Sequence, residues 1–151
     1  MGESFGAQEK QTLKSLPAWL GGPRTLSSDT REKLQEVIRV LGELPAHCIV
    51  DMCSWRTRST TACAIGWAAD DSWFRKNGLL MSGCHPTYRI NDLNASLYDY
   101  DAVGAFFSLT FLEVLWLFSG RHYPIQSLFV DKLGQRAEVI SRIQTFLKLN
   151  N

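Results

Sequence analysis

The sequence predicts a mainly α fold: a compact single-domain bundle of five to six helices, with room for a small β-hairpin at 79–90. Three observations carry this. The chain has 151 residues, the size of one domain. Its composition, 45% hydrophobic and 21% charged, is that of a globular chain with a full core. Apolar residues also recur at helical spacing in several segments separated by short breakers.

Residues 1–28 read as an N-terminal arm, partly flexible, and 29–151 as the helical domain. Ala7 to Leu16 suits a short helix that Pro17 ends, and Gly21-Gly22-Pro23 is a breaker cluster. Trp19 and Leu20 are placed to anchor the arm. Asp29 to Leu41 is the clearest helix. Asp29 is read as its cap with Glu32 three residues on, and Leu34, Val37, Ile38 and Leu41 form one stripe. Gly42 and Pro45 are its stop signals.

His47 to Thr57 reads as an extended or loop segment. Ser59 or Thr60 then opens a helix through Ala69, whose small residues Ala62, Ala64, Gly66 and Ala68 predict close approach by another backbone. Asp70 or Asp71 caps one further helical turn, Ser72 to Asn77, which Gly78 ends. Leu79 to Ile90 fits a hairpin about Ser82-Gly83, with Pro86 required to sit at an edge. Residues 91–96 read as polar loop.

Asp99 or Asp101 starts a helix to Ser108. Thr110-Phe-Leu-Glu113 is a capping box opening another, to Phe118, with Ser119-Gly120 as its end. The last helix spans about Val130 to Leu149. Its predicted stripe is Val130, Leu133, Ala137, Ile140, Ile143 or Gln144, and Leu147. That stripe predicts docking on the core, with pairing to a second copy as the alternative. Ala102 to Phe118 holds one charge, Glu113, in 17 residues. The capping box in its middle makes it two buried helices and not a membrane span.

The formal net charge of +1 disfavours nucleic acid as a partner. The charge is uneven. Between Ile90 and Gly120 lie Asp92, Asp99, Asp101 and Glu113 with no Lys or Arg, and five bases follow from Arg121 onward. The first reading of this is internal complementarity, and an acidic docking face is the second. No leader pattern opens the chain, so a reducing cytoplasm is expected, with the four cysteines as thiols.

Cys48, Cys53, Cys63 and Cys84 with His47 and His85 are the possible metal ligands. Their spacings lack the close pairs of zinc sites, so no metal and no cofactor is expected. A thiol nucleophile would be Cys63 near a helix N-terminus, with His85 as base and Asp51 or Asp92 to orient it. His47 and His122 are the other histidines. Trp55-Arg56-Thr57-Arg58 and Trp73-Phe74-Arg75-Lys76 set aromatics beside bases. Trp55, Arg56, Arg58, Trp73 and Arg75 are therefore candidate partner-binding residues, because Trp and Arg dominate interface energetics.

Asp51-Met-Cys-Ser-Trp55, Thr60-Thr-Ala-Cys63-Ala-Ile-Gly66-Trp67-Ala68, Phe106-Phe107-Ser-Leu-Thr110 with Glu113, and Leu117-Phe118-Ser119 together resemble a family of small bacterial and phage proteins of uncharacterised activity. The resemblance spans about residues 48–120. Where that pattern has a first Cys-Gly pair, this chain has Arg58-Ser59, so a metal or redox pair with Cys63 is not available here. The resemblance implies a fold unit and an accessory-genome or phage-type role. The reading that follows is a non-enzymatic binding or regulatory protein whose partner is another protein. The alternative is a small enzyme using Cys63 with histidine and aspartate support.

Overall fold

A computed structural model describes residues 16–90, 95–123 and 132–151, excepting the side chains of residues 122 and 132–134. The described residues form six α-helices and two three-stranded sheets, an α+β fold that corrects the helical bundle expected from periodicity. The predicted helix at 7–16, Asp92, and the stripe residues Val130 and Leu133 lie outside what is described.

Helix α1, Ser28–Glu43, is capped by Ser27, whose hydroxyl accepts the Thr30 N–H, and not by Asp29. It runs through Gly42 and ends where Leu44, preceding Pro45, turns extended. Its buried face carries Leu34, Val37, Val40 and Leu41. The first sheet is small: β1 (Ile49–Val50) pairs parallel with β3 (Thr61–Ala62), which pairs antiparallel with β2 (Arg56–Arg58). Strand β3 occupies the residues expected to begin a helix. Helix α2 therefore starts later, at Ala64, and runs to Asp70 with all but its last residue buried. Asp71 caps α3 (Ser72–Lys76) through the Trp73 N–H, and Gly78 follows with φ +99°.

The second sheet is an antiparallel meander of β4 (Leu79–Ser82), β5 (His85–Ile90) and β6 (Ala95–Tyr98). Its first turn is the expected Gly83, at φ +61°, followed by Cys84. Pro86 lies on the central strand, not an edge. It costs no ladder bond to β6 because that pairing stops one residue short of it, at Thr87 opposite Tyr98. Strand β6 takes up Ala95 and Ser96, the end of the segment expected as polar loop, by pairing them with Ile90 and Arg89.

Helices α4 (Asp99–Phe107) and α5 (Phe111–Phe118) are two elements bent 104° apart. Both arms of the Thr110–Glu113 capping box form. No single helix among the described residues is long and apolar enough to cross a membrane. Helix α6, Lys132–Leu149, packs on α1, β1 and α5. Its buried residues are Gln135, Val139, Arg142, Ile143 and Phe146, so the stripe is rotated from the predicted one, and Ala137 and Gln144 are exposed.

An aromatic spine joins these elements. Phe74 of α3, Phe106 and Phe107 of α4 and Phe118 of α5 are buried, with successive ring centroids 5.7, 4.9 and 5.6 Å apart. Each such ring contributes about 2–3 kcal/mol by leaving water. Arg24 fastens residues before α1 to the core: it forms an ion pair at 2.8 Å with Glu113, whose side chain is 4% exposed.

Candidate functional site

The loop between β1 and β2 is built by close backbone contact. Trp55 presents its carbonyl to Gly66 so tightly that a Cβ on Gly66 would stand 2.0 Å from that oxygen. The Cys63 N–H donates to the Ser54 and Trp55 carbonyls, each at 3.1 Å. Trp67 donates its ring N–H to the Ile49 carbonyl at 2.9 Å. Through these contacts the Asp51–Trp55 and Thr60–Ala68 segments pack on one another.

Cys63 is the N-cap of α2, its sulfur accepting the Gly66 N–H at 3.4 Å. Burial pushes its thiol up to about 11, against hydrogen bonds from backbone N–H groups that pull the other way. At neutral pH Cys63 is a protonated, buried cap, the opposite of an activated nucleophile. Asp51 accepts the Cys53 N–H at 3.1 Å in a local turn. The carboxylate that reaches His85 is Asp99, whose Oδ1 lies 2.8 Å from Nδ1. Asp99 holds φ +55° where β6 passes into α4, a left-handed conformation that aspartate tolerates better than most residues.

One cleft of about 320 Å³ gathers several sequence-predicted residues: Cys53, Trp55, Arg56, Cys63, Cys84 and His85, with Met52, Tyr100 and Phe118 among the walls. Asp51, Arg58, Trp73 and Arg75 do not line it. All four cysteines are thiols, Cys53 and Cys84 exposed and Cys48 and Cys63 buried. Among the described residues no group of three or more His, Cys, Asp or Glu is arranged to hold a metal ion.

The predicted interface residues divide. Arg56 is engaged within the chain. It pairs with Asp70, donates to the Gly66 and Arg58 carbonyls, and its guanidinium lies 4.9 Å from the Trp67 ring centroid. Trp55 stacks edge-on with Tyr100 at 4.9 Å, and Trp73 with Phe74 at 5.0 Å, so both are half committed to the interior. Arg58 and Arg75 are exposed.

A second, open groove of about 510 Å³ adjoins this cleft, sharing Tyr100 with it. It is lined by Ser96, Leu97, Tyr98, Asp99, Tyr100, Asp101 and Phe111. Here Tyr98 is 55% and Phe111 59% exposed, and Leu112 beside it is also exposed. Large aromatics this exposed mark a binding surface more often than single scattered apolar residues do. Asp99 and Asp101, expected as helix-capping residues, lie in the first turn of α4, whose N-cap position is Tyr98, and nothing in the sequence pattern marks the tyrosines. The signal that pointed here was the base-free run of acids from Ile90 to Gly120. Comparison of the chain with protein-family models, with characterised proteins and with solved structures returns no match.

Proposed function

We propose that this protein binds another protein through the groove along β6, and that the partner contributes an extended segment carrying Lys or Arg beside apolar side chains. The observation that carries this reading is the joint exposure of Tyr98 and Phe111 in a groove also lined by Asp99 and Asp101. Aromatic faces supply apolar contact and attract cations, and carboxylates beside them select basic side chains. Strand β6 is the last strand of its sheet among the described residues. An extended segment can pair with such an edge while its alternate side chains meet the groove. An acidic groove repels phosphate, so nucleic acid is the poorer partner. This reading moves the interface from Trp55, Arg56, Arg58, Trp73 and Arg75 to β6, α4 and α5, because Arg56 is already engaged internally. Four thiols suit a reducing cytoplasm, and we propose that as the compartment of the interaction.

The test is fluorescence anisotropy with labelled decapeptides alternating Arg and Leu, compared with peptides alternating Glu and Leu. The basic peptide should bind and weaken as salt rises. Phe111→Ala and Asp101→Lys should each weaken it by about tenfold or more, a loss of about 1.4 kcal/mol or more. Equal binding of both peptides, or unchanged affinity in both variants, removes the groove from consideration.

A further inference from the structure

One pair of side chains joins the cleft to the groove. His85, at the start of β5, lines the cleft, and Asp99, where β6 passes into α4, lines the groove. They meet at 2.8 Å, Nδ1 to Oδ1, with both side chains open to water. A carboxylate only accepts hydrogen bonds, so Nδ1 keeps its hydrogen and the proton that comes and goes is the one on Nε2. Imidazole is the side chain that ordinarily changes charge between about pH 5 and 8. Neutral, His85 donates to Asp99 and leaves the carboxylate's charge uncompensated. Protonated, it sets a full positive charge beside that carboxylate.

The elements packed on β5 bring no second imidazole to the pair. Strand β4 carries no charged residue, β6 carries Tyr98, and α4 carries Tyr100 and Asp101 beside Asp99. Helix α2 brings Asp70, which pairs with Arg56, and its cap Cys63. The cleft adds the Cys53 and Cys84 thiols, and β5 itself carries Tyr88 and Arg89. Carboxylates ordinarily titrate below the imidazole range, and thiols, phenols and guanidinium groups above it.

We infer that His85 makes partner binding in the groove depend on pH: a proton on His85 offsets the charge of Asp99 and weakens the hold on a basic segment, and its loss restores that hold. This rests on the docking reading and names the regulation of that site. Proton uptake at His85 and capture of a Lys or Arg side chain compete for one carboxylate, and such coupling is reciprocal. Because the pair is exposed, one added charge changes affinity by only about threefold.

The experiment is a calorimetric titration of the full chain, at constant ionic strength, with an alternating Arg-Leu decapeptide blocked at both termini. Such a peptide has no group that titrates in the imidazole range. Its Kd should be about threefold larger at about pH 5.5 than at about pH 7.5. His85→Gln keeps a donor for Asp99 and takes up no proton, so its Kd should be equal at the two pH values. In the unmodified chain, saturating peptide should move the NMR titration of the His85 ring to lower pH, the same coupling seen from the other side. Circular dichroism at each pH checks folding. Equal Kd at both pH values, a pH dependence that persists in folded His85→Gln, or a His85 titration that peptide leaves in place overturns pH control while the groove stands. Absence of binding at either pH overturns the groove reading and this inference with it.

Discussion

Gly66 shows how tightly the loop holding Cys53 and Trp55 is seated. A Cβ there would meet the Trp55 carbonyl oxygen at 2.0 Å and the Ala62 Cβ at 2.8 Å, neither of which is the end of a flexible side chain. Gly66→Ala should therefore destabilise the fold by about 3 kcal/mol, the upper range for overpacking, seen as a lowered urea midpoint. A stability within experimental error of the parent would mean that the loop yields easily.

Glu113 makes a second test at this scale. Burial alone would raise its carboxyl, but Arg24 and the Thr110 N–H outweigh burial and hold it below the usual carboxylate range. A carboxyl depressed in the folded state contributes stability above its unfolded value, and loses it as pH falls through the folded value. Stability should thus decline from about pH 4.5 downward, where the unfolded carboxyl titrates first. In Arg24→Ala the folded carboxyl rises, so stability at neutral pH falls and this share of the acid-side decline shrinks. Thermal melts from pH 3 to 7, about the range spanning carboxylate titration, measure both effects. Parallel curves for the two proteins would contradict the assignment.

Among elements, sequence was legible wherever one local interaction decides the outcome. The Thr110–Glu113 box, the Asp71 cap and the Gly78 stop all form as their residues dictate. It was illegible where pairing is tertiary. Strands β1 and β3 are two residues each, too short to show a period, and their parallel pairing joins segments a dozen residues apart. Strand β6 reads Ala-Ser-Leu-Tyr, polar enough to pass for loop because it has an exposed outer side. The phase of α6 was misread for a different reason: polar residues occupy its buried face. Gln135 takes the Met52 N–H at 2.9 Å, and Arg142 donates to the Trp116 carbonyl while its guanidinium lies 4.0 Å from the Tyr123 ring centroid. A stripe drawn through apolar residues alone rotates away from these positions. Gln135→Leu should accordingly cost about 1–3 kcal/mol by orphaning a buried N–H. Ala137→Ser, on the exposed side, should change stability by no more than about 0.5 kcal/mol. Urea midpoints that rank the two variants the other way would restore the original phase.

Over the whole molecule, three features converge on the region from Ala95 to Leu112. The middle of the base-free run lies there with Asp99 and Asp101, β6 ends its sheet there, and the most exposed aromatics among the described residues stand there. Among the described residues, Glu113 pairs with Arg24, before α1, and Arg142 donates to the Trp116 carbonyl with its guanidinium over the Trp116 ring. Asp99, which pairs with His85 at 2.8 Å, and Asp101 both line the groove. The apolar face of α6, by contrast, is covered within the chain, with Val139, Ile143 and Phe146 fully buried. Pairing of two copies through that face would require α6 to undock. Docking on β6 requires no such rearrangement, which supports the proposed sheet-edge site over the terminal helix.

The most direct measurement is a two-dimensional nitrogen–proton NMR titration of the labelled chain with the alternating Arg-Leu peptide. Shifts confined to the amides of Ser96 to Asp101 and of Phe111 and Leu112, saturating with peptide and reversed by salt, are the predicted result. Shifts centred instead on Arg58, Trp73 and Arg75, or an unchanged spectrum at millimolar peptide, about the weakest affinity worth assigning to a specific site, would contradict the account.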